Sequence, residues 1–105
     1  MQEVRPSYLR IIFPKPGFFL NDPRVTLAIN GRPAGDHSFL AGFDWWTPMP
    51  PGFHYVELAL VSLVTRSRMY SIEVRAGHST EVLVEYSRMW GSFGSTPKSV
   101  YFRPC

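Results

Sequence analysis

The stretch YSIEVRAGHSTEVLVEY, Tyr70 to Tyr86, carries two apolar alternations separated by a single glycine. Tyr70, Ile72 and Val74 share one face of an extended segment, and Thr80, Val82, Val84 and Tyr86 share one face of the next, the period of two that marks half-buried strands. Gly77 supplies the positive φ that a reversal between them requires. The two segments read as a hairpin, and same-face partners demand a three-residue loop of Ala76, Gly77 and His78, which sets Ile72 against Val82 and Tyr70 against Val84. The expectation is an antiparallel hairpin in that register, with a cost of about 1 kcal/mol or more for Gly77→Val.

Outward from this pair, the longest strand candidate is Phe53 to Val64, apolar on both faces: Val56, Leu58 and Leu60 on one, Ala59, Val61 and Leu63 on the other. Such a strand is either covered on both sides or offers its second face, with Val61 and Leu63, to a partner. Arg24 to Asn30 alternates cleanly, Val25, Leu27 and Ile29 against Arg24, Thr26, Ala28 and Asn30, and Asn30-Gly31 then reverses the chain. Tyr8 to Phe13 reads as a first strand, stopped by Pro14-Lys15-Pro16-Gly17. His37 to Phe43 is another, with Phe39, Ala41 and Phe43 on one face. Trp45 and Trp46 follow outside it, leading into the stiff connection Pro48-Met49-Pro50-Pro51-Gly52. Residues 88–98 read as a long loop and Val100 to Arg103 as a short last strand. About seven strands at regular spacing, with no helical crossover, give an all-β antiparallel β-sandwich of Ig-like or transthyretin-like architecture.

The 105 residues bound this to one domain, residues 1–105, with residues 1–7 a flexible N-terminal segment. Hydrophobic residues at 45% and charged residues at 18% exclude a disordered chain, and 10 prolines with 8 glycines suit strands and turns. The net charge of +3 comes from nine arginines and two lysines spread along the chain without a run, so an anionic partner is allowed but not indicated. Cys105, the single cysteine, excludes an internal disulfide and a cysteine metal site. Met1 to Tyr8 lacks the apolar core of a signal peptide, and no apolar stretch approaches the roughly 20 residues of a membrane span. The expected location is the cytoplasm, or the cell surface if a leader has been removed.

No nucleophile elbow, P-loop, dinucleotide fingerprint or zinc-protease motif occurs. His37, His54 and His78 sit singly in three segments, and Glu81 and Glu85 fall on the outward face of their strand as solvated carboxylates. No catalytic residue, cofactor or metal ligand is assigned, and the chain is expected not to be an enzyme. What stands out is 15% aromatic content. Phe13, Phe39, Phe43 and Phe53 are expected in the core. Trp45, Trp46 and Trp90, beside turn-forming residues, either cover an open sandwich end, anchor a protein interface or, with Arg88, stack on a glycan or on single-stranded nucleic acid.

The strand VTLAI (Val25–Ile29), the turn NGRPAG (Asn30–Gly35), the segment PPGFHYVEL (Pro50–Leu58) and the ending IEVRAGHSTEVLV (Ile72–Val84) together resemble the PEGA-type domain, a small β-sandwich repeat of bacterial proteins. Asn30, Gly31, Gly52 and Gly77 occupy the turn positions of that pattern. The resemblance implies a non-enzymatic module for attachment or protein contact. Protein interaction, with a partner or a second copy, is therefore the leading expectation, and a ligand-binding module for glycan or nucleic acid the alternative.

Overall fold

Phe13, Phe39 and Phe93 are among the largest fully buried side chains, and all three rings meet at one end of a core enclosed by two four-stranded sheets. A computed structural model describes residues 5–105. Among these residues the strands are β1 (Tyr8–Phe13), β2 (Arg24–Ile29), β3 (Arg32–Ser38), β4 (Phe43–Pro48), β5 (Gly52–Val61), β6 (Arg66–Val74), β7 (His78–Leu83), β8 (Tyr86–Ser87), β9 (Ser92–Phe93) and β10 (Ser99–Pro104). One sheet has the order β10-β7-β1-β4 and the other β3-β2-β5-β6, while β8 and β9 form a two-residue ribbon. The β-sandwich expected from the alternation is thus the fold. Among the described residues it has ten strands rather than about seven, and one pair, β1 with β7, is parallel.

The Tyr70–Tyr86 stretch corrects the hairpin expectation. β6 pairs with β5, placing Ile72 opposite His54, whereas β7 pairs with β1 and β10, placing Val82 beside Ile11 and Val100. The two strands lie in different sheets. Tyr70, Ile72 and Val74 face Thr80, Val82 and Val84 across the core instead of along a ladder, and all six are buried. Parity of apolar positions is satisfied equally by a hairpin and by a crossing between sheets, since both point the same side chains inward. The connection is a tight turn, with the His78 amide donating to the Arg75 carbonyl at 3.2 Å and Gly77 at φ +73°, as the third residue of a type II turn requires.

Other elements follow their local chemistry more directly. β2 buries Val25, Leu27 and Ile29, and Asn30 and Gly31, at φ +52° and +80°, reverse the chain as expected, with β3 starting directly after them at Arg32 and not at His37. β3 is an edge strand, where Pro33 and a bulge opposite Leu27 and Ala28 are tolerated. Its course corrects the expected strand His37 to Phe43: the chain turns at residues 39–42, and Phe39 enters the core from that turn. Trp45 and Trp46 lie within β4, not outside a strand. β5 is a central strand ending at Val61, so Leu63 belongs to the following turn. Phe53, expected in the core, points outward because it shares the parity of Tyr55, opposite to that of Val56 and Leu58. Residues 88–98 are not a continuous loop, since β9 interrupts them and buries Phe93. The flexible-segment expectation for residues 1–7 lies partly outside the described residues. Of the rest, Ser7 is buried, donates its hydroxyl to the Met49 carbonyl at 2.5 Å, and accepts from the Met49 amide at 3.0 Å.

Candidate binding surfaces

Alternation on β1 sends Leu9, Ile11 and Phe13 inward and Tyr8, Arg10 and Ile12 outward. Register then builds a row across the outer face of this sheet: Trp46 on β4, Arg10 on β1, Glu81 on β7 and Tyr101 on β10. Four strands at the usual spacing place the ends of that row about 14 Å apart. Arg10 donates through Nε and Nη2 to both carboxylate oxygens of Asp44, and through Nη1 to Glu81 Oε2 at 2.8 Å. Arg103 Nε reaches Glu81 Oε1 at 3.1 Å. Glu81, expected to be a solvated carboxylate, is only 9% exposed, because two guanidiniums and the neighbouring strands close over it. The Arg10 guanidinium holds the Asp44 carboxyl below its ordinary range.

Tyr8 and Trp46 meet edge to face at 5.6 Å, and Trp46 remains 60% exposed. Together with Ser79 these groups line an open concavity of about 510 Å³. The four charges, Arg10, Arg103, Asp44 and Glu81, cancel.

A second surface is set by the connections. The short turn 39–42 fixes Ser38 and Phe43 at the same end of the sandwich. Pairing of Phe13 with Phe43, Arg24 with Ser38 and Val61, Leu60 with Arg66, and Leu83 with Ser99 brings the connections 14–23, 62–65 and 84–98 to that end as well. An aromatic plug closes it: Phe19 meets Phe39 at 5.0 Å and Tyr86 at 5.4 Å, and Phe39 meets Tyr86 at 4.8 Å, all edge to face. Arg88 lies over the Phe19 ring at 4.1 Å and donates to the Phe18 carbonyl at 3.1 Å, tying the first connection to the β8–β9 ribbon. Asp22 accepts from the Leu40 amide at 3.0 Å and the Ser38 hydroxyl, bonds that lower its carboxyl below the ordinary range.

With Phe19 turned inward, its neighbours Phe18 and Leu20 project outward. So do Leu63 and Val64 at the β5–β6 turn, and Met89 and Trp90 at the ribbon turn. These six side chains are between 66% and 106% exposed.

The sequence-predicted site residues are therefore divided. Trp90, Arg88 and Leu63 come together at the plugged end, and Val61 is half-buried at the end of β5 nearby. Trp45 and Trp46 point to opposite sides of β4, Trp45 packing on the core and Trp46 joining the charged face. The three tryptophans do not form one site. The second face of β5 is mixed, with Glu57 between Tyr55 and Ala59. Tyr8, Arg10, Asp44, Glu81 and Arg103 were missed, because only cross-strand register reveals that they meet. Phe18, Leu20 and Met89 were missed because their exposure depends on where the loops lie.

Among the described residues no three His, Cys, Asp or Glu side chains converge as a metal site would need. His54 instead braces the Asn30 turn, with ring nitrogens 2.9 Å from Asn30 Nδ2 and 2.8 Å from the Pro50 carbonyl. No helix among the described residues is long and apolar enough to cross a membrane. Comparison of the chain with protein-family models, with curated proteins and with solved structures found no match.

Proposed function

We propose that this chain is a non-enzymatic attachment module that docks through its plugged, apolar loop end. The observation that supports this reading is the gathering of Phe18, Leu20, Leu63, Val64, Met89 and Trp90, all largely exposed, at one end of a rigid sandwich. Isolated apolar residues on a surface need no explanation, but six carried by three connections at the same end point to a contact surface. The reading agrees with the attachment role implied by the PEGA-type resemblance of residues 25–86. A photo-crosslinking residue at position 63, compared with one at position 71 on the outer face of β6, tests it in cells. Adducts at 63 and none at 71 are expected; equal labelling at both sites, or none at 63, removes the reading.

A second reading has its own support. The Trp46-Arg10-Glu81-Tyr101 row offers exposed aromatic rings beside bidentate polar groups of zero net charge, the chemistry that suits a neutral oligosaccharide. Carboxylates facing the same concavity disfavour a phosphate backbone, which turns the glycan-or-nucleic-acid alternative toward the glycan. Titration with neutral oligosaccharides should quench tryptophan fluorescence in the wild type and not in Trp46→Ala. Stronger, salt-sensitive quenching by oligonucleotides argues for nucleic acid instead.

A further inference from the structure

The six exposed tips are carried by three separate connections, and the hollow of about 790 Å³ between two of those connections is lined not by the tips but by residues such as Pro16, Glu85, Ser87 and Lys98, so the tips stand out from the surface instead of lining a groove. The molecule measures 55 × 24 × 20 Å. Four strands span only about 14 Å across a sheet, so the long axis runs with the strands, and the tips occupy one small end face of an elongated body. A protein partner for such a face needs a matching pocket under each tip. The interfacial region of a bilayer accepts convex apolar tips at any spacing, and Trp90 is a residue type that favours that boundary.

Charge around the tips points the same way. Lys15, Arg24, Arg66, Arg88 and Lys98 lie in these connections or at the strand ends next to them, against Asp22 and Glu85; Arg24 stands 3.9 Å from Asp36 and Arg88 is turned onto the Phe19 ring and the Phe18 carbonyl, so the collar is carried by Lys15, Arg66 and Lys98. Both lysines of the chain are in this set, and Asp22 is already engaged by Ser38 and Leu40. Long cationic side chains at the base of apolar tips bury their stems and reach anionic headgroups with their ends.

The turns also satisfy part of their own backbone. The Gly91 amide donates to the Ser87 carbonyl at 2.9 Å, and the Ser62 hydroxyl donates to the Val64 carbonyl at 2.8 Å. This lowers the cost of bringing them out of water.

We infer that the loop end seats in the interfacial region of an anionic lipid bilayer, with the apolar tips in the acyl boundary and the basic collar at the headgroups. The inference rests on the attachment reading of this end and names the surface to which it attaches.

Sedimentation of the full chain with vesicles of phosphatidylcholine, with and without phosphatidylglycerol, tests it. Binding to the anionic vesicles should exceed binding to the neutral ones by about tenfold or more and should weaken with added salt. Leu20→Ser combined with Leu63→Ser alters two fully exposed side chains, so the fold is not at stake, and should lower binding by about tenfold or more. Brominated acyl chains should quench wild-type tryptophan emission and leave Trp90→Phe largely unquenched. Absence of binding to either vesicle, equal binding to both, or binding unaltered in the double variant overturns the inference. A lipid-free dimer that the double variant disperses makes a second copy the occupant. That result, or crosslinks from position 63 to protein alone, overturns the lipid inference while leaving the attachment reading standing.

Discussion

Gly42 and Gly77 both hold positive φ, yet their surroundings separate two costs that the sequence cannot distinguish. A Cβ at Gly42 would collide with the Phe13 carbonyl oxygen and lie 3.0 Å from the Lys15 amide, both backbone atoms, at φ +68°. At Gly77 it would meet the Arg5 side chain at 3.1 Å, which can move away. Gly77→Ala should therefore cost only the left-handed backbone term, about 1 kcal/mol. Gly42→Ala should cost more, about 3 kcal/mol, by adding a clash that only displacement of β1 or the turn relieves. Chemical denaturation of the two variants gives the comparison, and equal losses refute it. The same limit explains Phe53 and Phe39: ring size argues for burial of both, but parity along β5 turns one outward while a turn residue fills the core.

At the scale of elements, alternation identified β1, β2, β5, β6, β7 and β10 and which side chains of most of them face inward. It did not identify partners. The crossing from β6 to β7 is the clearest case, because an inward face is inward whether its strand pairs along the ladder or lies in the opposite sheet. Paired cysteines discriminate in a Cys105→Ser background. Tyr55 and Ser71 are register partners on the outer face, so Tyr55→Cys with Ser71→Cys should form a disulfide on mild oxidation. Ile72→Cys with Val82→Cys should not, since facing sheets stand about 10 Å apart and a disulfide spans less than about 7 Å between Cα atoms. The opposite result restores the hairpin.

Across the whole molecule, two carboxylates join distant parts of the chain. Asp44 ties β4 to Arg10 on β1, and Asp22 ties the connection 14–23 to the turn 39–42 at the loop end. Both are held below their ordinary value of 3.8, Asp44 by the Arg10 hydrogen bonds and Asp22 first by the Leu40 amide and then by the Ser38 hydroxyl. A carboxyl that titrates lower in the folded chain than in the unfolded one contributes stability that is complete above the unfolded value. As pH falls through that value and then the folded one, the contribution is lost. Thermal midpoints should therefore drop below about pH 4, and the double variant Asp22→Asn, Asp44→Asn should show a lower midpoint at neutral pH with a shallower acid limb. An unchanged acid limb refutes the assignment.

By itself the sequence determined that this chain is all-β, where most strands run and which turns need Asn30, Gly31 and Gly77, because these follow from side-chain period and local backbone sterics. Only the tertiary structure decided that β6 and β7 lie in opposite sheets. It alone set Arg10 and Glu81 at the centre of a charged face and gathered Leu63 and Trp90 with Phe18 at one end. Those are facts of long-range pairing and loop position, and the alternation of a strand is the same whichever neighbour it has.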